Sequence, residues 1–509
     1  MNLAFAVQDI HWKGIGLLAP ELCLVVVSLI VLVQDLVQKG RDSSRVGYVT
    51  LAGLALTGLL LVRGFDTHDT AFGLVTIDNF GNFFKLFTVA SVAAVVFFVM
   101  QDKREKKHNI GEYYFLLLGA AVGIFFMVGT NNLLLLMLGL ELLSLASYSL
   151  AGFHKGEKRS AEAAMKYVVF GGLSAGVMVF GISLLYGATG TLNLAVMAGV
   201  PGVEGEGMTR SLAQAVTEAP GLVAAAMVMI LGGFSYKISV APFHFWAPDV
   251  YEGAPTPVTT FLAVASKAAG FGALLRFIAV LFVSPKAQAA VAEYGIQVGQ
   301  LIALLAAVTM TLGNLAALRQ ESIKRMLAYS SVAHAGYVLV GVAAMSSVGF
   351  QAAMFYLAAY YFMNLGAFGF LLYFAGATGH ETYSSLRGMG RKAPLMAVPM
   401  VIFLVSLTGL PPTIGFVGKL ELIKAALDST HELGWLVLVL VMNSVVSLYY
   451  YLRVIKELFL VETPDEAPAP QQPMGIFLVA MAAITILFGL YFGPLMRWAE
   501  SSMDLIAGL

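Results

Sequence analysis

Lys237-Ile238-Ser239-Val240-Ala241-Pro242-Phe243-His244-Phe245-Trp246-Ala247-Pro248-Asp249 ends one long apolar run, and Leu407-Thr408-Gly409-Leu410-Pro411-Pro412-Thr413-Ile414-Gly415-Phe416-Val417-Gly418-Lys419 interrupts another. Proline lacks a backbone donor and its ring collides with the preceding turn, so a helix breaks at each place and leaves amides and carbonyls unpaired. Hydrocarbon tolerates such groups only where they are buried in protein or line a wet cavity. Each stretch also carries a lysine, and a charge at membrane depth needs a partner or a task.

The rest of the chain supplies the membrane context. It has 509 residues, 59% of them hydrophobic and 12% charged, with 30 basic and 30 acidic side chains, and a mean hydropathy of +0.82. Soluble domains carry about 25% charged residues, so a water-soluble globular protein is excluded. With no net charge, and no basic group denser than Lys103, Arg104, Lys106 and Lys107, nothing favours nucleic acid as a partner. The single cysteine, Cys23, makes no internal disulfide, thiolate zinc site or iron–sulfur cluster by itself. No cofactor and no metal is expected in this chain.

Apolar runs long enough to cross about 30 Å of hydrocarbon lie near 14–37, 46–63, 79–100, 112–129, 131–152, 160–186, 220–246, 256–282, 295–318, 323–345, 348–376, 394–427, 432–458 and 474–496. They are continuous rather than alternating, which argues against a β-barrel. The expectation is an all-α polytopic membrane protein of about fourteen transmembrane helices, the seventh and twelfth discontinuous at Pro242 and at Pro411 and Pro412. No basic cluster precedes the first span and no small-residue cleavage site follows it, so no removable signal peptide is expected. Eighteen loop lysines and arginines fall on one side of the membrane and five on the other. The richer side is cytoplasmic, which places both termini on the non-cytoplasmic face.

A faint repeat runs at an offset of 189 residues. Ala163-Ala164-Met165-Lys166-Tyr167 returns as Ala352-Ala353-Met354-Phe355-Tyr356, Met137 as Met326 and Tyr148 as Tyr337. A five-span unit repeated in tandem re-enters from the opposite face, so the two units are inverted, as in many transporters. The chain then divides into three N-terminal helices (1–111), a first five-helix unit (112–283), a second (294–460), and a linker with a final helix (461–509).

Seven basic residues remain inside spans: Lys85, Lys166, Lys237, Lys267, Arg276, Lys419 and Lys424. Lys85 and Lys424 lie near span ends and are expected to snorkel; Arg276 is open to a structural or a functional role. Glu141 occupies the middle of the fifth span, where its carboxylate needs a cation or a proton. Lys237 and Lys419 accompany the two breaks, and Lys267 is central in the eighth span. Desolvation disfavours charged forms and an opposite charge favours them, so a partner that moves changes proton affinity. His244, in the first break, and His334, in mid-span, are candidate relays because imidazole both donates and accepts. Lys166 replaces the phenylalanine of the other repeat and is a further relay candidate.

The stretch from Ala241 through Pro257, followed by Ala265-Ser266-Lys267-Ala268-Ala269-Gly270-Phe271, resembles the antiporter-like membrane subunits of respiratory complex I, the proton-pumping NADH:quinone oxidoreductase. Leu318-Arg319-Gln320-Glu321-Ser322-Ile323-Lys324-Arg325-Met326-Leu327-Ala328-Tyr329-Ser330-Ser331 is similarly typical, and the lysine at 267 is similar to the smaller, N-type branch rather than its larger siblings. The resemblance covers essentially the whole chain. It implies that Glu141 and Lys237 form the coupling pair, that Lys267 relays, and that Lys419 communicates with the far half-channel. It also implies partner subunits that hold NADH, flavin, iron–sulfur clusters and quinone, in a bacterial inner (plasma) membrane. The competing reading is a subunit of a multisubunit sodium/proton antiporter. A sodium site favours several converging oxygen ligands, whereas Glu141 is the one acid near a span centre.

Overall fold

A computed structural model describes residues 14–38, 43–102, 110–200, 208–282, 297–461 and 472–503. Lys13, Lys39, Arg41, Lys103, Arg104, Lys106, Lys107 and Lys286 of the loop count, the unit boundary at 294, and both termini lie outside the described residues. Among the described residues, thirteen helices are long and apolar enough to cross a membrane. They are α1 (Ala19–Gln38), α2 (Ser43–Arg63), α3 (Asn79–Gln101), α4 (Ile110–Val128), α5 (Leu133–Ala151), α6 (Lys158–Thr189), α7a (Pro220–Lys237), α8 (Thr256–Phe282), α9 (Val298–Leu318), α10 (Ile323–Ala343), α11 (Ser347–Thr378), α13 (Gly434–Phe459) and α14 (Gln472–Leu490). A short α15 (Gly493–Met503) closes the described chain.

The expected twelfth span is two half-helices, α12a (Pro394–Thr408) and α12b (Ile414–Leu427). Either alone rises only about 22 Å, too little to cross. The seventh span likewise continues past Ser239 and Pro242 into a half-helix, α7b (Trp246–Gly253). Both breaks therefore fall where the prolines place them. Their freed groups find protein partners: the Ala241 amide donates to Thr309 Oγ1 on α9 at 3.1 Å, and the Gly415 amide to Ser406 Oγ at 3.1 Å. Among the described residues, a small antiparallel hairpin between α2 and α3, β1 (Asp69–Ala71) and β2 (Val75–Ile77), departs from the all-helical pattern.

The repeat is plainer in the elements than in the residues. α6 and α11 are both 32 residues long and start 189 positions apart, each ending on a glycine, Gly190 or Gly379, in the left-handed conformation. Isolated bridges pair Asn132 with Asn193 in the first unit and Ser322 with Thr382 in the second. The units differ in surroundings. α8, α10 and α11 form the interior, whereas α1, α6 and α14 are largely exposed at the periphery.

One intramembrane cation is held differently from what span position suggests, and a second, left open by the sequence, takes a structural place. Lys85 does not snorkel: its ammonium is buried and pairs with buried Glu21 at 2.6 Å, tying α3 to α1. A lysine one turn inside α3 cannot lift its head to the interface when α1 and α4 cover it and an acid faces it. Arg276 is a clamp, donating to both oxygens of Asp78 at 2.7 and 2.8 Å and to the Val128 carbonyl at 3.0 Å. Lys424 is exposed, as a snorkelling residue should be. Lys85→Met leaves Glu21 buried without its cation, a cost of about 3–5 kcal/mol. We expect a lower thermal midpoint of the detergent-solubilised protein, recovered in large part when Glu21→Leu is added. Equal destabilisation by the single and the double change would contradict this account.

Candidate functional site

The first half of the site is built by α5, α7a and α8. The Asn132 side chain caps α5 by accepting from the Leu134 and Leu135 amides. Nine residues on, Glu141 lies at the edge of the outward face of α5, half-buried, with Ser144 one turn further on the same side. Lys237 is the last residue of α7a, buried, and its Nζ donates to Ser144 Oγ at 3.1 Å. The opposite charges of Glu141 and Lys237 lie close enough to attract one another. Oε1 of Glu141 is buried with no hydrogen bond among the described residues. On the other side of Lys237, α8 comes close at Gly270, where a Cβ would meet Ile238 Cγ2 at 2.7 Å and Lys237 Cγ at 3.3 Å. The stem of Lys237 therefore rests one turn from Lys267.

Lys267 follows directly on a π turn, Leu262–Ser266, within α8. Such turns insert an extra residue into a helix and cluster at functional sites. Its buried ammonium donates to the Ser331 carbonyl at 2.7 Å and to the Ser331 hydroxyl. Ser331 is on α10, so this contact passes from the first unit to the second. One turn on, His334 bonds through Nδ1 to Tyr356 Oη at 2.8 Å and through Nε2 to Tyr451 Oη at 3.3 Å, with the Tyr337 and Tyr360 rings packed against it.

Lys419, on α12b, completes the row. Its Nζ donates to the Thr408 carbonyl at 2.8 Å, to the Leu407 carbonyl at 3.3 Å and to Ser444 Oγ at 3.0 Å, and it lies 4.4 Å from the centre of the Tyr337 ring. The two carbonyls belong to the last turn of α12a and are free because the helix stops there. The negative end of a broken helix thus does for Lys419 what a carboxylate does for Lys237. Gly409 makes room: its φ of +89° is left-handed, and a Cβ there would be 2.7 Å from Lys419 Cδ.

Close approaches between helices set the register of the two units. Gly123 packs on the Gly139 carbonyl and the Leu143 amide, and Gly313 on the Tyr329 carbonyl and the Ala333 amide, the same contacts shifted by 190 residues. In that register Ser331 stands where Glu141 stands, and His334 where Ser144 stands. The second unit has a hydroxyl in place of the carboxylate.

Glu141, Lys237, Lys267, His334 and Lys419 thus line up in one row, buried except for half-buried Glu141, among side chains to which sequence reasoning gave no role: Ser144, Ser331, Ser444, Tyr337, Tyr356 and Tyr451. The signal available for two of them was spacing, since Ser144 follows Glu141 by three and Ser331 precedes His334 by three. His244 is buried in the first break with Nδ1 unpaired among the described residues, between exposed Phe243 and Phe245. Lys166 stands apart from the row, partly exposed and paired with Glu162 and Asp249, each at 2.7 Å. No group of three His, Cys, Asp or Glu side chains suited to a metal occurs among the described residues.

The chain as a whole is similar to known proteins. The family described as NADH:quinone oxidoreductase/Mrp antiporter, TM, matches residues 130–447. NADH-quinone oxidoreductase subunit N of Chlorobium chlorochromatii (strain CaD3) is 40% identical over 501 residues, covering 97% of this chain and 95% of its own. The chain belongs to the subunit N family. In keeping with that family, a chain in the structure of respiratory complex I from Thermus thermophilus with bound Aureothin is 32% identical, with a TM-score of 0.77 over 94% of this chain and 99% of that one. A chain of the Mrp complex from Dietzia sp. DQ12-45-1b has the same TM-score at 21% identity, over 96% of this chain and 97% of its own, and shares the fold. The subunit N family thus sits on an architecture wider than the oxidoreductase, and the two readings left by the sequence differ in assembly, not in fold.

Proposed function

We propose that this chain is the proton-translocating, antiporter-like subunit N of a respiratory complex I, passing protons along Glu141, Lys237, Lys267, His334 and Lys419. The observation that carries this reading is the row of ionisable groups and hydroxyls that runs through the interior from one broken helix to the other. Protons enter from the cytoplasm beside α7b and α8. Ser144 and Ser331, which each donate and accept, hold the ammonium of Lys237 or Lys267 and offer it an oxygen through which a proton can leave. Lys419 takes the proton last and releases it toward the far side when an upstream ammonium is charged. His244 and Lys166 are side branches at the cytoplasmic end.

The chain itself carries no redox step in this reading. NADH, flavin, iron–sulfur clusters and quinone belong to other membrane and peripheral subunits, and their reaction drives the row from a distance. The protein resides in the bacterial inner membrane with both termini on the periplasmic side, the three N-terminal helices and α14 flanking two inverted units with the limits given above. The sodium/proton antiporter is the weaker alternative, because the row contains a single carboxylate and three ammoniums, a poor lining for Na⁺.

Purification of the tagged chain from its native membrane in mild detergent decides between the two. We expect NADH-oxidising, quinone-reducing activity and flavin and iron–sulfur absorbance to travel with it. Recovery of a redox-inactive assembly that exchanges Na⁺ for protons in vesicles would overturn the proposal.

A further inference from the structure

The half-helix α7b, set off from the rest of its span by the break, is gripped along its length by cations from both units. Asp249 offers one carboxylate oxygen to Lys166 of α6 at 2.7 Å and the other to Arg325 of α10 at 2.8 Å. The same Arg325 nitrogen holds Glu252 at 2.8 Å. Lys324, beside it on α10, donates to the Ala254 carbonyl at the C-terminus of α7b at 2.7 Å. Cations at a helix C-terminus are favourable by themselves, but here they come from elements that carry other parts of the row. α10 bears Arg325 at its start and Ser331 and His334 two turns on. The clamp is also partly exposed, and Asp249, Glu252, Arg325, Lys166, Glu162 and Arg159 line a polar cavity of about 190 Å³. Ion pairs facing water exchange partners without passing through hydrocarbon.

We propose that Arg325 is a positioning residue for proton transfer. It ties α7b to the second unit, so that a displacement of α10 around Lys267 is delivered through α7b to the break beside Lys237. The two lysines, in different environments, are thereby kept in step by a connection on the cytoplasmic side of both. This inference rests on the proton-transfer reading above.

The experiment is a double-mutant cycle in the complete complex, with assembly and thermal midpoint verified for each variant. Arg325→Gln is expected to lower quinone reduction and the proton movement coupled to it about tenfold, and Asp249→Asn similarly. The double variant should be no worse than either single, because both remove one connection. Arg325→Lys should restore at least half of the activity, since both carboxylates contact a single nitrogen and a point charge can serve them. If Arg325→Gln does not assemble, Glu252→Gln replaces it in the cycle. Losses that multiply to about a hundredfold, or wild-type turnover by Arg325→Gln, overturn the inference. Lys237→Ala is measured alongside: full activity there rejects the proton-transfer reading, whereas a dead Lys237→Ala with a fully active Arg325→Gln rejects the clamp alone.

Discussion

Complex assembled with Lys237→Ala should lose at least tenfold in proton pumping and in quinone reduction together. A tightly coupled machine stalls when one of its proton steps is blocked, so the driving reaction falls with the driven one. The structure adds a sharper test than a single loss. Lys237 reaches the helix of its carboxylate through Ser144, at 3.1 Å, so a carboxylate grafted at 144 would meet the same ammonium. Glu141→Ala alone is expected to behave much like Lys237→Ala, and Glu141→Ala combined with Ser144→Glu to recover much of the loss. Leu138 and Leu145, two of the other positions one turn from Glu141, are more than half exposed, and an acid there should recover nothing. Proton pumping in reconstituted vesicles measures all five variants. Undiminished pumping by Glu141→Ala in assembled complex would remove the pair from the mechanism.

Lys419→Arg should be nearly as damaging as loss of the side chain, with coupled quinone reduction reduced about tenfold or more. Two buried ammoniums about 8 Å apart, at an effective dielectric near 20, repel by about 2 kcal/mol, enough to bias where a proton resides by more than tenfold. Lysine responds to that push by releasing its proton, whereas a guanidinium keeps it. The positive charge and the hydrogen bonds to the Leu407 and Thr408 carbonyls are of a kind arginine can supply. A lysine that only neutralises the end of α12a would therefore be replaceable by arginine. Turnover and pumping by the assembled variant at wild-type rates would refute a role in proton release.

The fold was legible because its determinants are local. Length of apolar run and proline in mid-run each act within one span, and Pro242, Pro411 and Pro412 mark the breaks that the backbone makes. The candidate site was legible for groups that hydrocarbon penalises: Glu141, Lys237, Lys267 and Lys419 stand out as ionisable side chains in mid-span or at a break. Hydroxyls carry no such penalty, so Ser144 and Ser331 look like ordinary helix residues until α7a and α8 bring lysines to them. Span position also misled for Lys85, whose environment depends on Glu21, 64 residues away. A long-range partner of that kind leaves no periodic trace in either segment.

The matched helices α6 and α11 have equal length and equivalent places in the repeat, yet about 28% of the first one's apolar window is buried inside the protein against 94% of the second's. Lipid accepts a methyl group gained or lost on α6 at almost no cost, whereas on α11 each such change opens a void or forces an overlap. Gly366, for instance, directly abuts the Phe403 ring. Over generations the outer helix can drift while the inner one is held. Two copies that began alike would then lose their common spelling mainly through changes on α6, with the three-dimensional symmetry outlasting the written one.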